Sequence, residues 1–307
     1  MDGPVHLLPH GAAQQRTLRS PIDCTGTGLH SGLRVWMELA PSAADSGIIF
    51  HRRDMAVDIP ARFDRVVDGR LATQLAATEA PDVRVSTVEH IMAALAALGI
   101  DNARISLDGP EVPVLDGSGA PFVFLIDCAG IAVQEAPRRE LVVLRPVRIV
   151  EGESFVELLP DPGPGLTMEL SIAFDQPAIG RQAFALQLTE VAFRRELASA
   201  RTFTTADAIA ALRAAGLAQG GTLENAVVVD NQRVLNPAGL RMPDEFVRHK
   251  LLDAVGDLAL AGFPIRGRFR AHRSGHALNH RLLQRLFASP EAFRIVVPLA
   301  EPALAAA

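Results

Sequence analysis

Residues 243–262 read PDEFVRHKLLDAVGDLALAG, and residues 87–98 read TVEHIMAALAAL. In the first stretch Val247, Leu251, Ala254, Val255 and Leu258 recur at helical spacing. They form an apolar stripe that predicts a core-facing helix over 244–261. His249 and Asp253 stand one turn apart on another face, with Asp257 one turn further and Lys250 beside them. Two readings of that face are open: a solvated stripe with a helical ion pair, or half of a zinc site whose ligands reach one point in space.

The second stretch predicts a helix over 87–98, ended by Gly99. A strand at 103–107, a Gly- and Pro-rich loop with Ser118-Gly119, and a helix at 120–128 follow. The 244–261 helix is followed in the same way by a strand at 265–271, by Ser274-Gly275 and by a helix at 276–287. This weak repeat suggests two similar units packed face to face, each giving one histidine, His90 or His249, to a shared cleft. Strands are expected from residue 15 onward in the first unit, and at 141–144, 147–150, 154–158 and 167–172 in the second. Strands grouped ahead of helices predict an α+β fold, with helices on one face of each mostly antiparallel sheet. Pro137-Arg138-Arg139 marks the boundary between an N-terminal unit (15–137) and a C-terminal unit (138–307). Residues 1–14 are expected to be a disordered leader.

The 307-residue chain is 49% hydrophobic and 21% charged, enough to fill a sizeable core. Its net charge of -5 and lack of a basic run argue against nucleic acid as a partner. Two cysteines do not make a disulfide framework. There is no apolar signal-peptide core and no apolar run near the roughly 20 residues that span a bilayer, so a cytoplasmic location is expected. The absence of tyrosine leaves acid–base chemistry to His, Glu, Asp, Lys or a metal-bound water. No phosphate-binding glycine motif and no H-E-x-x-H is present.

Other candidates also have two readings each. Ser86-Thr87-Val88-Glu89 fits a capping box, which would occupy Glu89 with its own helix end. The alternative makes Glu89 a general base beside a metal ligand, His90. His276 opens the last helix, whose N-terminus favours neutral imidazole. A nearby carboxylate, for which Asp257 is a candidate, would reverse that. His280, one turn on, is expected at the surface.

Together VSTVEHIMAAL, DGPEVPVLDGSGAPF, SARTF at 199–203, DEFVRHKLLDAVGDL at 244–258 and RSGHALNH at 273–280 resemble the UDP-3-O-acyl-N-acetylglucosamine deacetylases. These are zinc enzymes of the committed step of lipid A synthesis in Gram-negative bacteria. The resemblance runs from about residue 15 to 287, in the family's order. It implies two similar α+β domains with zinc between them, held by His90, His249 and Asp253. It implies Glu89 as general base, His276 as general acid, Asp257 as the partner that orients and charges His276, and Thr202 as oxyanion donor. Lys250 would touch the substrate and hold negative charge, Phe203 would line the glucosamine pocket, and Arg273 would stand at a basic substrate-binding position where lysine is common. The implied substrate is acylated UDP-N-acetylglucosamine, with residues 204–225 forming an apolar passage for its acyl chain. The bland reading of that segment is an amphipathic helix packed on its domain. Ser154 stands where a basic residue is frequent, and Ala72 where some members carry cysteine. Another N-acetyl sugar as substrate, or a non-catalytic sugar-nucleotide or lipid binder, are the competing readings. A monomer is expected.

Overall fold

The computed structural model describes residues 13–69 and 71–297. The expected leader lies outside the described residues except for its last two, and Gln14 already opens the first strand, Gln14–Leu18.

Alternation of apolar and polar residues builds the first sheet. In Arg34–Pro41, Val35, Met37 and Leu39 point inward and are fully buried, while their neighbours do not. This strand pairs antiparallel with Ile22–Thr27 on one side and with Ala103–Leu107 on the other. Ala103–Leu107 then runs parallel to Ile48–Arg52, which pairs antiparallel with Val57–Pro60.

The second unit repeats this order strand for strand. Val147–Glu151 pairs with Ser154–Leu159, which pairs with Ile265–His272, both antiparallel. Ile265–His272 runs parallel to Leu166–Ala173, which pairs antiparallel with Arg181–Gln187. The flanking strands match too. Glu140–Val143 lies parallel to Ile265–His272 and pairs with Phe293–Val296. In the first unit Gln14–Leu18 bridges in parallel at Asn102 and pairs with Ile131–Pro137. Two α+β units of one design therefore stand in one chain, and the repeat suggested by the helices extends to the sheets. Both sheets are mostly antiparallel, with the parallel pairings confined to Ala103–Leu107 beside Ile48–Arg52 in the first and to Ile265–His272 beside Leu166–Ala173 and Glu140–Val143 in the second.

Helices Glu89–Ala97 and Ala120–Ala129 belong to the first unit, Glu245–Ala259 and His276–Phe287 to the second. The Glu245–Ala259 helix lies on Leu166–Ala173 and Arg181–Gln187; His276–Phe287 lies on Val147–Glu151 and Ser154–Leu159. The units meet where the Glu89–Ala97 helix packs along Glu245–Ala259. Gly256 makes that approach possible. A Cβ at this position would lie 1.9 Å from the Glu89 carbonyl oxygen, so any side chain would drive the helices apart.

Each unit also carries an insertion at the same topological point, between its last hairpin and its cleft helix. In the first it is a small sheet of Val66–Asp68, Gln74–Ala76 and Arg84–Val85. In the second it is a small sheet of Phe203–Thr205, Val227–Asp230 and Arg233–Val234, with the helix Ala206–Ala214.

One of the two readings of Glu89 is excluded, and one local expectation is overturned. The Ser86–Glu89 capping box does not form. The helix starts at Glu89 without a side-chain cap, Ser86 accepts from Gln74, and Glu89 Oε2 accepts from the Thr73 backbone. Thr87 sits at φ +58 with its hydroxyl on Glu111, a turn incompatible with that box. His280 is not at the surface. It is 3% exposed, because His276–Phe287 turns this face toward the other unit and not toward water.

Candidate active site

Helical spacing brings His249 and Asp253 to one point, and the helix contact between the units brings His90 to the same point. His249 Nε2 lies 3.3 Å and His90 Nε2 3.5 Å from Asp253 Oδ1. Ligand atoms of the three residues lie within 4.8 Å of one another. All three are buried, so the solvated-face reading of His249 and Asp253 is excluded. His249 Nδ1 bonds to the Ala200 carbonyl at 3.0 Å. A carbonyl only accepts, so Nδ1 carries the proton and the Nε2 lone pair faces Asp253. Burial holds His249 down to about 4, outweighing the pull of the Asp253 charge, so the imidazole is neutral, as a metal ligand requires.

Asp253 Oδ1 makes no hydrogen bond although it is buried. A carboxylate oxygen and a bare imidazole nitrogen converge with no proton donor between them. Acceptors without a donor fit a cation, and two imidazoles with one carboxylate fit zinc while leaving a fourth position open. The other oxygen, Oδ2, accepts from Lys250 Nζ at 2.7 Å. Burial pulls the Lys250 ammonium down, but the Asp253 charge and hydrogen bond outweigh it and raise it above its ordinary value.

A second group of side chains adjoins this cluster. His276 Nε2 is 3.9 Å from Glu89 Oε1 and 3.7 Å from Asp253 Oδ2. His276 Nδ1 bonds to Asp257 Oδ2 at 2.9 Å, and Asn279 Nδ2 donates to the same oxygen at 2.8 Å. Burial works against the imidazolium, but the Asp257 carboxylate outweighs it and lifts His276 to about 9. Burial likewise pushes Asp257 up, and the His276 charge with the bonds from His276 and Thr73 brings it down to about 2. The carboxylate thus overrides the helix N-terminus, which alone would favour the neutral ring. Glu89 is 3% exposed, and burial raises its carboxyl although the His276 and His90 charges pull the other way.

The cluster opens into a cleft. A cavity of about 400 Å³ is lined by Glu89, His90, Thr202, His249, Asp253 and His276, with Leu29, Leu71, Phe203 and Ala208 as apolar walls. A second cavity of about 360 Å³ holds Ser154, Asp175, Gln176 and Arg273. The two share Phe174, Lys250 and Ser274, so they form one trough. Phe203 is fixed edge-on between Phe174 and Phe246, with ring centroids 5.6 and 5.0 Å away. Thr202 is held by its backbone, which donates to Gly117 at 2.8 Å and accepts from Val227 at 2.8 Å. Arg273 bonds to Glu153 at 2.5 Å on the rim. Ala72 is half-buried between Leu71, which lines the cavity, and Thr73.

Residues 15–288 match the family model "LpxC: UDP-3-O-acyl N-acetylglycosamine deacetylase". The chain belongs to this deacetylase family. A relative from Anaeromyxobacter sp. (strain Fw109-5), named UDP-3-O-acyl-N-acetylglucosamine deacetylase, is 51% identical over 282 residues, covering 92% of this chain and 91% of the relative. Proteins of that name from Myxococcus xanthus (strain DK1622) and Acidithiobacillus ferrooxidans (strain ATCC 53993 / BNL-5-31) are 48% and 47% identical, each over 92% of this chain.

In this LpxC chain the segment 204–225 crosses from its own unit to the other. The helix Ala206–Ala214 buries none of its residues fully, while Thr204, Thr205 and Ala208 face the cavity. Gln219 and Gly220 then donate backbone N–H groups to the carbonyls of His30 and Leu29. Gly220 is needed for that docking, since a Cβ there would lie 2.2 Å from the Gly28 oxygen. The segment is more than an amphipathic helix on its own domain: it ties the cleft edges together.

Three residues of the site were missed by sequence reasoning. Asn279 and His280 stand one turn from His276 and were accessible from helical spacing. Thr73 carries no such signal. It lies in a loop of the first insertion and reaches the site only through the packing of the two units.

Proposed function

We propose that this LpxC-family chain is a zinc-dependent amidohydrolase acting on UDP-3-O-(3-hydroxyacyl)-N-acetylglucosamine. It would release acetate and leave the free glucosamine amine, the committed step of lipid A synthesis in a Gram-negative cell. The observation that carries the reading is the unpartnered Asp253 Oδ1, buried against the Nε2 atoms of His90 and His249.

Bound to these three residues, Zn²⁺ would act as a Lewis acid and lower the pKa of a water to about 7. Glu89 takes the water proton on Oε1, the oxygen not tied to Thr73, as general base. Thr202, fixed by its backbone at the cavity wall, donates its hydroxyl to the oxyanion of the tetrahedral species. His276 keeps Nδ1–H on Asp257 and gives the proton on Nε2 to the departing amine. Lys250 holds Asp253 in place and extends positive charge into both cavities, where a diphosphate gains from it.

Phe203 walls the sugar pocket. Arg273 lies along the second cavity beside Ser154, which leaves the phosphate contacts there to Lys250 and Arg273. The acyl chain is assigned to the apolar side of the cleft, between Leu29, Leu71 and the 204–225 segment. Residues 15–137 and 138–307 are the two catalytic units. No described helix is long and apolar enough to cross a membrane. A cytoplasmic monomer fits a complete cleft built by one chain.

Amine appearance should be followed with acylated and unacylated UDP-N-acetylglucosamine. The proposal expects turnover of the acylated substrate and a large drop without the acyl chain. Equal rates would point to a zinc amidase for N-acetyl sugars at large. No turnover of any chain length by zinc-loaded protein would refute the reading.

A further inference from the structure

Thr73 is buried at the junction of the two units and makes four polar contacts to groups of the site. Its backbone N–H donates to Glu89 Oε2 at 3.0 Å. Its Oγ1 lies 2.6 Å from Asp257 Oδ1, 2.9 Å from His280 Nε2 and, at longer range, 3.4 Å from His276 Nδ1. Its carbonyl accepts from the Val88 backbone at 3.4 Å, which anchors the loop to the start of the Glu89 helix.

Counting protons fixes the direction of this chain. A hydroxyl has one proton, and an ionised carboxylate only accepts, so Oγ1–H points to Asp257. His280 Nε2 must then be the donor to Oγ1. Burial lowers the His280 pKa, so the ring is neutral, and with its proton on Nε2 the Nδ1 atom is bare, a buried nitrogen with no hydrogen-bond partner. The sequence is His280 Nε2–H to Thr73 Oγ1–H to Asp257 Oδ1, with His276 Nδ1–H and Asn279 Nδ2–H on Asp257 Oδ2. Both Asp257 oxygens are occupied, so the carboxylate plane has no freedom to rotate, and the His276 ring on it has none either.

We propose that Thr73 is a positioning residue that sets the Glu89 carboxylate and the Asp257–His276 pair in fixed register. It holds one oxygen of Glu89 with its backbone and one oxygen of Asp257 with its side chain. The oxygen of Glu89 that remains, Oε1, is the one 3.9 Å from His276 Nε2. Thr73 comes from the first unit, while Asp257 and His276 come from the second. The gap between the proton-accepting and proton-donating atoms therefore depends on a tie across the unit boundary. Thr73 lines neither the cleft nor the cation site, so it acts through Asp257 and Glu89 and not on the substrate.

The inference rests on the deacetylase reading, and its test separates the two. Rates with the acylated substrate are measured for wild type, Thr73→Val, Thr73→Ala, Thr73→Ser, Asp257→Ala and the double variant Thr73→Val/Asp257→Ala. An inactive wild type would sink the function and not the role of Thr73. Given an active wild type, Thr73→Val and Thr73→Ala should lower kcat about 10- to 100-fold with KM changed less than about twofold, the scale of a misplaced catalytic group. Thr73→Ser, which keeps the hydroxyl, should recover most of the rate. In the Asp257→Ala background, Thr73→Val should cost little more. Thr73→Ala with full kcat, a serine variant no better than valine, or losses that multiply fully in the double variant would each overturn the proposal. The alanine variant, which inserts no new atoms, decides the matter if the valine variant does not fold.

Discussion

His276 donates its Nδ1 proton to Asp257 Oδ2 at 2.9 Å, and the charge of Asp257 at this contact, joined by that of Asp253, lifts a buried, helix-N-terminal histidine above its ordinary value. Burial and the helix end both favour the neutral ring. The fully buried carboxylate wins and carries His276 to about 9. The second nitrogen is thereby protonated where it faces Glu89 and Asp253.

The pH profile of kcat/KM should be bell-shaped. As the proposed general base Glu89 would act ionised, and burial raises its carboxyl, so the rate should fall as pH drops through that raised value. As the proposed general acid His276 would act protonated, so the rate should fall as pH rises toward about 9. A cation on Asp253 pulls both limbs to lower pH. Asp257→Asn removes the charge that lifts His276 and should move the alkaline limb down, with kcat lowered about 10²-fold or more. A profile with an unmoved alkaline limb in that variant would separate His276 from the acid role.

The same bond has a signature in stability. His276, at about 9, lies above the ~6.5 of an unfolded histidine, so its contribution is complete below about 6.5 and is lost as pH rises through about 9. Asp257, at about 2, lies below the ~3.9 of an unfolded aspartate, so its contribution is present above about 3.9 and lost as pH falls toward about 2. The stability gap between metal-free wild type and Asp257→Asn should be widest between about pH 4 and 6.5 and narrow on both sides. Urea unfolding across that range measures it.

Much of this was legible in the sequence. Val247, Leu251 and Leu258 announced the central helix by period, and His276–Phe287 and Ala103–Leu107 fell where pattern placed them. From the residues themselves the convergence of His90 with His249 was legible as a weak repeat of helix, strand and Ser-Gly, and the family resemblance implied it more directly. Thr73 and the true partner of Glu89 were not, because both depend on how one unit sits against the other. Arg181–Gln187 was missed as a strand, though its alternate burial has the strand period, because its apolar residues Ala183, Phe184, Ala185 and Leu186 run consecutively and the sequence itself shows no alternation.

Gly256 tests the unit contact itself. Gly256→Ala places a methyl 1.9 Å from the Glu89 carbonyl oxygen, which cannot yield without moving a helix. A loss of about 3 kcal/mol, the upper end of overpacking, is expected in urea unfolding. Gly152→Ala, at φ +57 with open space around it, carries backbone strain alone and should lose about 1 kcal/mol.

Glu245 holds the non-helical segment of Ala200 and Arg201 that orients His249. It accepts from the Arg201 backbone at 3.0 Å and from its guanidinium at 2.8 and 3.1 Å, next to the Ala200 carbonyl that binds His249. Glu245→Ala leaves a buried guanidinium unpaired and should destabilise the fold by about 3–5 kcal/mol. In protein that remains folded, zinc affinity measured against a competing chelator should fall about 10- to 100-fold as the Ala200 carbonyl loosens. Arg194→Ala breaks only partly exposed pairs with Asp127 and Glu190 and should stay within about 1 kcal/mol of wild type.

The most direct measurement is acetate release from acylated UDP-N-acetylglucosamine by metal-stripped protein titrated with Zn²⁺. The rate should rise from near zero and reach its plateau at one zinc per chain, while Asp253→Ala should show no rise over the same range. Full turnover by the stripped protein, or a wild-type response from Asp253→Ala, would contradict a zinc centre on His90, His249 and Asp253.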